Sequence, residues 1–138
     1  MSRKTFGSLL VIIFFSNPTF SQALGPLPMA WHSMGLNADG TVYTWGNNDT
    51  GQLGDGTTTT SSPYGKLTPV RVLKGEYSGT TYLGDNPSNR IIAVAGGRQF
   101  SLALAEDGTV FAWGLNHRGQ LGNNSTTDSS TPLKVLKG

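Results

Sequence analysis

One phrase occurs twice in this chain. Residues 38–56 read ADGTVYTWGNNDTGQLGDG, and residues 106–124 read EDGTVFAWGLNHRGQLGNN, at an offset of 68. Asp39, Gly40, Trp45, Gly46, Gly51, Gln52, Leu53 and Gly54 recur as Asp107, Gly108, Trp113, Gly114, Gly119, Gln120, Leu121 and Gly122. The match reaches outward to Ser33/Ser101 and Leu36/Leu104. Beyond the phrase, Pro69–Gly75 matches Pro132–Gly138 at an offset of 63, so copy one carries five extra residues near Tyr64–Thr68. A repeat of this period means stacked units, each covering a neighbour's apolar face.

The local pattern within each copy is that of strands and tight turns. In Phe100–Ala105 large residues (Phe100, Leu102, Leu104) alternate with small ones (Ser101, Ala103, Ala105), the period of a strand. Asp107-Gly108 follows as a hairpin signal, and Thr109–Gly114 resumes the alternation with Phe111 and Trp113. Each strand therefore has a bulky and a small side, as expected of sheets covered on both faces. Strands are expected near 31–37, 41–46, 69–73, 91–95, 100–105, 109–114 and 132–136. The stretches 47–63, 76–90 and 115–131, rich in Gly, Asn, Thr and Ser, read as loops. The expected fold is all-β, with sheets packed on both sides by similar sheets. Copy one covers about 29–75, a connection 76–90, and copy two about 91–138.

The start of the chain is of a different kind. Arg3 and Lys4 precede the apolar run Leu9–Phe15, which gives way to Ser16-Asn17-Pro18 and then Ser21-Gln22-Ala23. That order is a secretory signal peptide at 1–23, with cleavage expected after Ala23. The run is far short of the ~20 residues that span a bilayer. A secreted or periplasmic chain, free of the membrane after cleavage, is therefore expected. Ten Lys and Arg oppose eight Asp and Glu. Without Arg3 and Lys4 the count is eight against eight, which leaves no electrostatic footprint for nucleic acid. Cysteine is absent, so no disulfide, thiolate metal site or thiol nucleophile exists.

The phrase and its flanks resemble the repeat of the regulator of chromosome condensation family. The pattern H-S-x-x-L-x-x-D-G-x-V-x-x-W-G-x-N-x-x-G-Q-L-G stands here as His32–Gly54 and again as Phe100–Gly122, with Phe100 in place of the usual His. The resemblance implies that the all-β fold is an incomplete β-propeller whose blades are four-stranded antiparallel sheets, the full ring usually having about seven. It also implies that the Trp-Gly and Gly-Gln-Leu-Gly residues are structural. Two copies are fewer than the about four to eight that close a ring, so a fragment is expected. Closure would need further repeats or other copies of the chain.

Candidate chemistry is sparse. His32 and His117 are the only histidines, read as a packed strand residue and an exposed loop residue. Ser33 and Ser101 stand beside no repeated His-plus-acid set. Asp39 and Asp107 read as turn residues. The oxygen-rich Asn47–Gly51 and Asp55-Gly56 lack the spacing of a calcium loop. Gly96-Gly97-Arg98 lacks the helix or Lys that would complete a phosphate nest. Asn48, Asn123 and Asn124 each open a glycosylation acceptor pattern. No catalytic residue, cofactor or metal is therefore expected. The expected function is a secreted binding or scaffold module that takes a protein or glycan partner through its loops. The alternatives are guanine-nucleotide exchange on a small GTPase, which the resemblance implies, and a non-catalytic part of a larger secreted enzyme.

Overall fold

The computed structural model describes residues 30–138. The expected export signal and the lead-in before Ala30 lie outside the described residues. Seven strands follow in order: β1 (His32–Leu36), β2 (Val42–Asn47), β3 (Gly65–Arg71), β4 (Ile91–Gly96), β5 (Phe100–Ala105), β6 (Val110–Gly114) and β7 (Ser129–Lys134). They form two antiparallel meanders, β1-β2-β3 and β4-β5-β6-β7. At the 68-residue offset, the counterpart of β4 in the first sheet falls on positions 23–28, outside the described residues. The fold is all-β, an open and incomplete propeller of two neighbouring blades.

The hairpins form where the sequence places them. Asp39 accepts the Thr41 N–H through its Oδ1 at 2.9 Å, and Asp107 accepts that of Thr109 at 2.8 Å. These are Asx turns, in which a short carboxylate stands in for a backbone acceptor. Both outer strands begin earlier than expected. β3 starts at Gly65 rather than 69, and β7 at Ser129 rather than 132. Each pairs with the end of the preceding strand across a register shift, between Thr44 and Gly46 in one blade and between Ala112 and Gly114 in the other. Pro69 and Pro132 are tolerated because both strands lie at an edge of their sheet. The extra length of copy one thus sits in an exposed turn at 57–64 and in the first residues of β3, rather than in a loop at 64–68.

The two-sided pattern resolves in a way that one strand cannot reveal. Ser101 pairs with Trp113 and Ala103 with Phe111, while Leu102 pairs with Ala112. Partners across an antiparallel pair point to the same side. Small residues of β5 therefore share a face with large residues of β6, and each face of a blade is half bulky and half small. The blades mesh through this mixture. Met34, Leu36, Val42 and Val72 meet Val94, Ala103, Phe111 and Trp113 in one buried cluster. Tyr77 and Leu83 of the crossover belong to the same cluster, with Tyr77 edge-on to Phe111 at 5.6 Å. The core lies between the sheets.

Candidate functional site

The Gly-Gln-Leu-Gly loop of copy one is driven into the joint between the blades. Gln52 and Leu53 are fully buried. The Gln52 carbonyl accepts two bonds from the second blade, from Ser101 Oγ at 2.8 Å and from the Trp113 indole N–H at 2.9 Å. The Leu53 carbonyl accepts the Thr44 hydroxyl at 2.6 Å. The Gln52 side chain knits the loop to itself: its amide nitrogen donates to Asn47 and to Asp49, and its oxygen accepts from Thr50. A Cβ on Gly54 would stand 2.7 Å from Trp113 Nε1 and 2.8 Å from Val72 Cγ1, and φ there is +70°. Only glycine meets both conditions.

Asn48 and Asn116, each the Asn of Trp-Gly-x-Asn, staple the long loops. Both are fully buried. Asn48 Oδ1 accepts the Leu53 N–H at 3.0 Å, and its amide donates to the Thr57 carbonyl at 3.0 Å. Asn116 repeats this with Leu121 and with the Ser125 and Thr127 carbonyls. Of the three glycosylation patterns, Asn48 is thus sealed in. Asn123 accepts from Asn116, and Asn124 is exposed.

The structure joins one pair that the sequence left apart. His32 Nε2 lies 2.7 Å from Ser101 Oγ, across the joint. The pair is not a nucleophile and its base. The Ser101 hydroxyl proton goes to the Gln52 carbonyl, which can only accept, so His32 Nε2 carries the proton and donates. His32 Nδ1 is buried with no partner, and no carboxylate orients the ring. Burial pushes the imidazole down to about 4, which keeps it neutral at pH 7. Sequence reasoning missed the contact because it depends on how two blades stack, and no motif carries that.

The other candidates are engaged locally. Asp49 accepts the Gln99 amide at 3.2–3.3 Å from the neighbouring blade. Asp55 holds Thr57 through the N–H at 3.0 Å and the hydroxyl at 2.6 Å. His117 and Arg98 are exposed, and Arg98 lies over the Trp31 ring at 5.0 Å. Among the described residues no three His, Asp or Glu side chains gather as metal ligands would. Asp85 in the crossover accepts backbone N–H groups from Thr80, Thr81 and Tyr82. These bonds outweigh its partial desolvation and hold its carboxyl down at about 2.

A stacked pair of blades joined by a buried Gly-Gln-Leu-Gly loop is what a repeat signature would have to encode. The family model described as the regulator of chromosome condensation (RCC1) repeat matches residues 39–104 and 107–137, and a second RCC1 repeat model matches 91–120. The chain belongs to the RCC1 repeat family. It is 38% identical over 102 residues to "Protein RCC2 homolog" of Danio rerio, a match that spans 74% of this chain and 17% of that protein. Over 105 residues it is 37% identical to "Probable E3 ubiquitin-protein ligase HERC3" of Homo sapiens, 76% of this chain against 9% of that one. Human WBSCR16 superposes with a TM-score of 0.61 at 27% identity, over 77% of this chain and 24% of that chain. Yeast RCC1 (Prp20), solved bound to Kap60, superposes at 0.58 with 19% identity, over 78% of this chain and 23% of that chain. The RCC1 repeats here thus span less than a fifth of these two curated relatives and about a quarter of the solved chains.

Proposed function

We propose that this chain is an exported, non-catalytic RCC1-repeat module that holds a protein partner at the rim of its first blade. The observation that carries the reading is the turn at 57–64, where copy one departs from copy two. The turn stands clear of the body and presents Tyr64 at 52% exposure. It is nevertheless pinned. The Asn48 N–H donates to the Tyr64 carbonyl at 2.8 Å, and the Asn48 carbonyl accepts from Thr59 at 2.9 Å. An exposed aromatic ring on a rigidly held loop offers contact area at low entropic cost. Yeast RCC1, which shares this fold, has been solved bound to the protein Kap60, and this supports the reading. The order Arg3-Lys4, Leu9–Phe15 and Ser21–Ala23 supports export.

Two experiments test this. Expressed in a bacterium, the exported fraction should yield a chain beginning at Leu24; a cytoplasmic product still beginning at Met1 defeats the export reading. Photo-crosslinking from position 66 of the exported protein, beside the turn, should capture a protein that Tyr64→Ser and a shortened 57–64 turn both lose. Capture that survives both changes defeats the docking reading. Accelerated nucleotide release from a small GTPase would favour exchange activity instead.

A further inference from the structure

The outer faces of the two blades are the two halves of the joint already formed between them. In that joint the second blade supplies Ser101 and Trp113 as donors, and the first supplies the Gln52 carbonyl. At the 68-residue offset the donors correspond to Ser33 and Trp45, and the acceptor to Gln120. Ser33 pairs with Trp45 across β1 and β2, as Ser101 does with Trp113. Their side of the first blade is turned away from the core, because Met34 and Leu36 occupy the other side. Leu102 and Leu104 likewise lie on the outward side of β5, opposite Ala103 and Ala105, and are only half-buried. They sit where Met34 and Leu36 sit in copy one.

An independent observation agrees. A Cβ on Gly40 or Gly51 would meet the second blade, 2.7 Å from Arg90 Cβ and 2.7 Å from Ser130 Cα respectively. Their counterparts Gly108 and Gly119 have nothing within 4 Å. Ser130 corresponds to Leu67 at the offset of 63, and Leu67 is 85% exposed, the most exposed large apolar residue among those described. One stacking operation would bring Leu67 against Gly119 and the Ser33 and Trp45 donors to the Gln120 carbonyl. Phe100 in place of His32 removes one polar contact and leaves the rest of the joint intact.

We infer that this chain binds a second copy of itself head to tail, the outer face of one copy's second blade receiving the outer face of the next copy's first blade. Such an interface is heterologous, and it closes into a ring where its rotation permits. Propellers hold about four to eight blades, so the two blades of residues 30–138 from each of a few copies would fill one ring.

Sedimentation velocity on the exported protein tests this. The mean mass should rise with concentration towards a ring of a few copies. Leu67→Glu blocks one face and Leu102→Glu the other, so each alone should remain a monomer with the wild-type circular dichroism spectrum. Mixed, the two variants still own one intact face each and should form a one-to-one dimer that grows no further. A wild-type monomer throughout the micromolar range overturns the inference. So does association that both single variants retain, or a mixture of folded variants that stays monomeric.

Discussion

Trp113 donates its indole N–H to the Gln52 carbonyl at 2.9 Å, although the two residues belong to different blades. Beside it Ser101 donates to the same oxygen at 2.8 Å. One backbone atom thus gathers two bonds from a neighbouring repeat. Trp113→Phe keeps most of the packing and removes one donor, at an expected cost of about 1–2 kcal/mol. Trp113→Ala also opens a cavity and should cost about 3–5 kcal/mol. Urea unfolding followed by far-ultraviolet circular dichroism measures both. Equal losses would mean that the indole bond, rather than the ring, holds the joint.

Asn48→Ala leaves the Leu53 N–H buried without its acceptor and unfastens the Thr57 carbonyl, while the backbone bonds of residue 48 to Thr59 and Tyr64 remain. The expected cost is about 1–3 kcal/mol. Amide exchange at Leu53 should quicken well before the rest of the sheet. Asn116→Ala should do the same at Leu121, which that side chain caps at 2.9 Å. Unchanged exchange at these amides would show that the loops hold themselves.

His32 makes stability depend on pH. The unfolded imidazole titrates near 6.5, the folded one at about 4. Between these values the unfolded chain binds a proton that the native chain does not. Stability is therefore full above pH 6.5 and declines as pH falls towards 4, by about 3 kcal/mol. His32→Phe, which copies the residue at 100, should flatten that window. The separate loss that begins as pH falls through the ordinary carboxylate range and runs towards about 2, through Asp85, should persist in the variant. A decline between 6.5 and 4 that survives His32→Phe would assign it to another group.

Gly51 and Gly119 share a left-handed backbone, φ +82° and +73°, but only Gly51 abuts the other blade. Alanine at either position costs about 1–2 kcal/mol of backbone strain. At Gly51 the methyl group also collides with Ser130, which adds about 1–3 kcal/mol. Measured on the Leu102→Glu background, which keeps the outer face uncovered, Gly51→Ala should be the more damaging. Equal costs would mean that the joint yields without strain.

The architecture was legible in the sequence because it is written twice. Asp39-Gly40 and Asp107-Gly108 marked the hairpins, and the alternation in Phe100–Ala105 marked the strand. The starts of β3 and β7 were not legible, since Gly65, Ser129 and Ser130 read as loop residues. They become strand only by pairing with β2 and β6 across a bulge. The meeting of His32 with Ser101 was illegible for a deeper reason. The register of one sheet follows from its own hairpins, whereas a contact between sheets depends on their stacking. The 57–64 turn showed in the sequence only as the place where the two copies stop matching.

Because the core lies between the sheets, neither blade owns an interior. Copying one blade therefore never copies a finished structural part. It copies one half of two different joints, and each half gains meaning only from what is set beside it. The loop that carries the Gln52 carbonyl is tied to Trp113, in the other repeat, so a shift of its backbone reaches both blades. The working unit of this architecture is the seam between two repeats.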